Sequence, residues 1–242
     1  MATWLEHIQR HTSEVDPLEF TMLDSVIAES INNCMERCNT NLLYKYSGEP
    51  VEVTSAGVSV RDSKIIMVLR KTADRQQAQG EGIKYVPCIE KSFFDYTKFS
   101  NPRSLHYATS ESPVFYIENA SNPVVAGDSS SGTLKIFPVP EDSDSSDAGA
   151  VVYKFDNLTE VSNDSETTSL TSIPRVMIEW IALVIAEKVL NWKFSEMVHT
   201  EEDSELSALI AQQLKMISEK ARVVGTQFMN QSDLARLVGG KE

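Results

Sequence analysis

The sequence predicts an α+β fold: a helical bundle, built from a long N-terminal helix and a C-terminal helix hairpin, with a small antiparallel β insertion in the middle. Three observations carry that prediction. Residues 17–46 and 172–230 repeat apolar side chains at helical spacing. Residues 51–155 hold short alternating runs bounded by Gly, Pro, Asn and Ser clusters. Acidic, aperiodic stretches follow the alternating runs. On this division residues 1–50 and 171–230 form a helical bundle domain, 51–170 a β-rich insertion domain with acidic loops, and 231–242 a C-terminal tail.

Residues 3–11 predict a short helix with Trp4, Leu5 and Ile8 on one side. His7 and His11 lie four apart there, which is metal-ligand spacing, but with no third ligand beside them the pair reads as surface histidines. Asp16 followed by Pro17 is a helix start, a capping acid before a proline whose missing N–H is not needed in the first turn. From there Leu23, Val26, Ile27, Ile31, Cys34, Cys38 and Leu42 keep helical spacing towards Tyr46, and Gly48 to Pro50 ends the run.

In the middle, Val51 to Val53 and Val58 to Val60 alternate as strands do, while Ile65 to Leu69 is a buried apolar run that fits strand or helix. Residues 71–83 are polar and carry Gly80 and Gly82 without the Lys-Ser/Thr of a phosphate loop. Residues 113–117, 133–137 and 150–155 are the clearest strands, which predicts a small antiparallel sheet. The acidic loop 141–149 lacks the fixed glycine and bidentate glutamate of a calcium loop.

Helix is predicted again from Ser172-Ile-Pro174. Val176, Met177, Trp180, Ile181, Val184, Val189 and Leu190 make it broadly apolar, so it is expected to be the most buried helix. Thr200 to Asp203 reads as a capped, acidic helix start. The helix after it places Leu206, Leu209, Ile210, Leu214, Ile217, Ala221 and Val224 in a stripe suited to an antiparallel hairpin. Ser232 to Val238 forms a short amphipathic tail carrying Leu234, Leu237 and Val238.

Composition narrows the function classes. The net charge is -13, and residues 141–170 alone hold eight acids and one base. Such a chain is not expected to grip duplex phosphates by counterion release. Residues 61–103 run the other way, with nine bases and five acids. No stretch approaches the roughly 18 apolar residues that span a membrane, and the N-terminus does not read as a secretory signal. The three cysteines, Cys34, Cys38 and Cys88, read as small apolar side chains in a reducing compartment. No catalytic, cofactor or metal constellation is expected among the four histidines or the acids.

The run Pro113-Val-Phe-Tyr-Ile-Glu-Asn119, then Leu134-Lys-Ile-Phe-Pro138-Val-Pro140, then the Ile173-Pro174 start of a long apolar helix, resembles head-to-tail adaptor (connector, or neck) proteins of tailed double-stranded DNA bacteriophages. The likeness covers about residues 105–230 in pattern, and helix 17–46 fits the same topology. The resemblance implies a structural virion protein of the neck, made in the host cytoplasm and not an enzyme. It implies a homo-oligomeric, dodecameric ring beneath the portal protein that extends the DNA channel and offers a platform to the next tail or neck protein. By that resemblance the tail residues Leu234, Leu237 and Val238 are candidate portal contacts. Glu141, Asp142, Asp144, Asp147, Glu201, Glu202, Asp203 and Glu205 are candidate channel-lining acids, past which DNA slides without sequence-specific binding. The basic 61–103 segment is then expected to meet an acidic neighbouring copy. Two rival readings are a neck-associated cell-wall hydrolase, which needs a paired acid and base in a cleft, and a cytosolic helical binding module with an apolar pocket.

Overall fold

The computed structural model describes residues 2–13, 15–72, 84–119, 132–140, 149–170, 173–200 and 204–229. Its helices are α1 (Trp4–Thr12), α2 (Leu23–Arg37), α3 (Thr40–Tyr46), α4 (Tyr96–Ser100), α5 (Ile178–Thr200) and α6 (Ser204–Gly225). Its strands are β1 (Val51–Glu52), β2 (Val58–Ser59), β3 (Ser63–Thr72), β4 (Lys84–Pro87), β5 (Ile89–Glu90), β6 (Val114–Asn119), β7 (Gly132–Phe137) and β8 (Ala150–Asp156). The chain divides into a unit of Met1–Tyr46 with Asn157–Glu242, and a unit of Ser47–Asp156.

The expected fold class is overturned. The chain is mixed α/β, with six helices and two four-stranded sheets among the described residues, and not a helical bundle with a small β insertion. The sheets run β1-β8-β3-β4 and β2-β7-β6-β5, and β5 pairs with β6 in parallel. Strands β1 and β2 fall where the sequence alternates, whereas β4 and β5 escape a periodicity reading because β4 is four residues long and ends in proline and β5 is two residues long. A strand as short as β5 has no alternation to detect; its place is set by the longer partner it pairs with.

In the helical unit, α1 starts from a reciprocal cap. Thr3 Oγ1 accepts the Glu6 N–H at 3.2 Å, and Glu6 Oε2 accepts the Thr3 N–H at 3.2 Å. Asp16 and Pro17 do begin a helical turn, but it is one 3-10 turn, Pro17–Glu19, with Asp16 Oδ1 accepting from Leu18 N–H at 3.0 Å. The single helix expected through Tyr46 is thus interrupted before α2 and again after it. Cys38 is extended (φ -69°, ψ 148°) and bridges Met229. Asn39 donates its N–H to Phe228 O at 2.9 Å, while its Oδ1 accepts from Asn41 N–H at 2.9 Å and caps α3. Pairing with a distant segment replaces the helical hydrogen bonds that local spacing anticipates.

At about 1.5 Å per residue α5 is roughly 35 Å long, and α1, α2 and α6 pack round it. Trp180, Ile181, Leu183, Ile185, Ala186, Val189 and Leu190 are all buried, which explains the broadly apolar first half of the helix; past Leu190 it turns polar, with Asn191, Ser195 and Glu196 exposed. The α5–α6 pair is antiparallel: Glu179, near the start of α5, accepts from Lys220 Nζ, near the end of α6, at 3.0 Å. The polar segment 157–170, expected with the β insertion, belongs to this unit. Asn32 holds both backbone groups of Leu158, at 2.7 Å and 2.9 Å, and Asp24 Oδ1 accepts from Asn163 N and Nδ2 at 2.8 Å and 2.9 Å.

In the β unit, alternation on β6 serves two cores. Phe115 and Ile117 join Val68, Val152, Leu134 and Ile136 between the two sheets. Val114 and Tyr116 face the other way, into Phe99 and Ala108. Tyr116 lies 5.5 Å from Phe99 and 5.6 Å from Tyr96, ring centre to ring centre, so an aromatic layer from α4 closes that face. The buried Arg70 of β3 donates to the carbonyls of Pro138 and Val139, fixing the chain beyond β7.

Candidate functional site

Helix α6 has two apolar faces. Ile210, Ile217 and Ala221 are buried against the bundle. Leu209, Met216 and Val223 point outward and are 57%, 62% and 50% exposed. Their spacing of seven residues keeps them on one line along the helix, as in a coiled-coil seam that lacks its partner. Glu205 is exposed one turn before Leu209 and lies at the head of the same line. Lys215, Glu219 and Lys220 flank Met216 and Val223. An apolar line with a charged margin is the make-up of an association surface.

Behind that surface a polar contact ties three helices. Glu179 Oε1 of α5 is 3.0 Å from Lys220 Nζ of α6 and 3.3 Å from His11 Nε2 of α1. Burial of Glu179 favours its neutral form, yet the Lys220 hydrogen bond and the His11 and Lys220 charges outweigh it and hold the carboxyl below its ordinary value. For His11 and His7 burial wins, and both imidazoles are held below 6.5 despite the attraction of Glu179.

The same unit carries a groove of about 310 Å³ between α2, α5 and α6. Trp180, Val184, Cys34 and Met229 form its apolar lining, and Arg37, Glu187, Lys188 and Arg222 are its charged groups. Lys188 is 3.1 Å from Glu29, and Arg222 is 2.7 Å from Glu219. Burial pushes the Cys34 thiol up to about 12, so this cysteine is neutral and inert at neutral pH. Gly225 makes the groove's end possible: a Cβ there would stand 2.6 Å from Trp180 Nε1. Phe228 stacks on Trp180 at 5.8 Å, and Met229 lines the groove beside it.

In the β unit the segment 91–107 places apolar and basic groups side by side. Phe94 is 94% exposed and Leu105 is fully exposed. Lys91, Lys98 and His106 line a small hollow with Asp95 and Phe99, and Lys98 Nζ is 2.6 Å from Asp95 Oδ1.

Of the residues singled out from sequence, Glu205 is exposed in the first turn of α6. Glu141, Asp142, Asp144, Asp147, Glu201, Glu202 and Asp203 lie outside the described residues, as do Leu234, Leu237 and Val238. Leu209, expected in the buried stripe, faces outward instead, because the helix turns Ile210 and Ile217 inward. Met216 and Val223 escape the sequence reading; their heptad spacing with Leu209 is the signal that could have found them. His7 and His11 are not surface residues but partly buried ones, and no group of three or more metal-ligating side chains occurs among the described residues. No protein-family model, curated protein or solved structure matches the chain.

Proposed function

We propose that this chain is a structural subunit of the head-to-tail connector of a tailed double-stranded DNA bacteriophage. Copies associate side by side into a ring beneath the portal, extend the DNA channel and present a platform to the next neck or tail protein. The observation that carries the reading is the outward line Leu209, Met216 and Val223 on α6, an apolar face with nothing to cover it among the described residues. Two features support it: the likeness of residues 105–230 to connector proteins, and a net charge of -13, which suits a lumen that phosphates pass without adhering. The basic, aromatic segment around Phe94 and Lys98 supplies a second contact, complementary to the acidic remainder of a neighbouring copy.

Met216→Glu puts a charge in the middle of the apolar line without touching a buried side chain. Capture of this variant by a purified cognate portal ring, compared with the native chain in a pull-down, is expected to fall at least tenfold, on the order of 1.4 kcal/mol. Capture equal to that of the native chain overturns the reading.

A further inference from the structure

We propose that the groove between α2, α5 and α6 is a binding site for a small organic acid, with its anionic head held by Lys188 and Arg37 and its apolar body on Trp180, Val184 and Met229. This goes beyond the connector reading and does not depend on it. The argument begins with a buried cation. The Nζ of Lys188 is shut off from solvent and makes no hydrogen bond among the described residues. Glu29 stands 3.1 Å away but out of line for a hydrogen bond, on a side chain that is 62% exposed. An ammonium carries three N–H donors, and holding them away from water is costly unless acceptors meet them. An anion suits that position, because its charge and its acceptor oxygens answer both needs.

Arg37 gives the head a second contact. It lines the same groove and has no ion pair among the described residues. The charges of Arg37 and Lys188 both act on the thiol of Cys34, another lining residue, so the two cations lie close to one part of the wall. The third base, Arg222, is taken up by Glu219 at 2.7 Å, and Glu187 is the one acid on the lining. Three bases against one acid is a local excess of positive charge in a chain whose net charge is -13. Trp180, Val184, Ala221 and Met229 supply the apolar surface beside them. At about 310 Å³ the groove sits at the lower end of the ~300–1,000 Å³ range of small-molecule sites, which suits a compact body rather than a long chain. The indole of Trp180 accepts a flat ring as well as an aliphatic group.

The probe for the test is anilinonaphthalene sulfonate, an anionic head on a compact aromatic body whose fluorescence rises as it leaves water. It is titrated into the full chain beside phenylnaphthylamine, the same rings without the sulfonate. The native chain is expected to bind the sulfonate saturably, and octanoate is expected to displace it where octanol does not. Arg37→Met and Lys188→Met are each expected to weaken the sulfonate about tenfold, the loss of one charge-assisted hydrogen bond, and to leave the neutral probe unchanged. Arg37→Met alters an exposed side chain without an ion pair, so it reads the site even where Lys188→Met loosens α2 from α5. Ser218→Trp, which fills the groove from α6, is expected to abolish binding of both probes while the circular dichroism spectrum and melting curve show the fold intact. Three results overturn the proposal: no saturable binding by the native chain, equal binding by the native chain and Arg37→Met, or binding that survives Ser218→Trp. Loss of binding in Met216→Glu also overturns it, by placing the probe on the outer face of α6.

Discussion

Gly225→Ala reverses the usual effect of replacing a helix glycine. In an open helix this change gains about 0.8–1 kcal/mol from reduced backbone freedom. Here the new Cβ meets Trp180 Nε1 at 2.6 Å, Trp180 Cε2 at 2.9 Å and Met229 Cε at 3.1 Å. The methionine tip can swing aside, but the indole cannot: Trp180 is 2% exposed and stacked on Phe228 at 5.8 Å with a 27° interplanar angle. Forcing a filled site to move costs about 1–3 kcal/mol, which exceeds the propensity gain and leaves a net loss of about 1 kcal/mol. Urea titration followed by far-ultraviolet circular dichroism reads this as a lower midpoint at unchanged slope. The same change in a Trp180→Ala background, where the indole ring is absent, is expected to be neutral or stabilising relative to that background. If Gly225→Ala stabilises both backgrounds equally, the close fit of α6 against Trp180 is wrong.

Asn32→Ala strands the N–H and C=O of Leu158, a loss of about 1–3 kcal/mol, and limited proteolysis should then cut within 157–170 faster than in the native chain, with an unchanged rate counting against the clamp. Arg70→Met removes the donors to Pro138 and Val139 and should lower the melting temperature; no change would show that the guanidinium does not hold that segment. His7 and His11 are held below 6.5 by burial, so the folded chain binds fewer protons than the unfolded one; their contribution is full above pH 6.5 and is lost as pH falls through the folded values. Melting curves between about pH 7.5 and 5.5 should therefore slope downward with acid, and His7→Gln/His11→Gln should flatten the slope; an equal slope in the variant would contradict it.

Parts of this fold are legible in the sequence because a single residue run sets them. Helix α5 is broadly apolar through Leu190, and a central helix suits that pattern. Strands β6, β7 and β8 alternate over six or seven residues, enough for period two to show. The rest depends on partners far along the chain. The break between α2 and α3 comes from pairing of Cys38 and Asn39 with Met229 and Phe228, in the middle of otherwise helical spacing. Segment 157–170 has the composition of a loop, yet Asn32 and Asp24 dock it on α2. The size of the β unit is hidden in the short strands β4 and β5, and its parallel pair β5–β6 depends on Ile89 meeting Val114. At the candidate site, the acidic first turn of α6, with Glu205, is legible as a helix start. The face that Leu209 takes is not, because Leu209 and Ile210 are adjacent and equally apolar, and only packing decides which one turns inward.

The mass of the purified chain by light scattering, with and without a cognate portal and at low and high salt, tests the connector reading most directly. The account predicts a ring-sized particle, or a portal-bound species, that weakens as salt rises and is lost in Met216→Glu. A salt-independent monomer that ignores the portal would contradict it.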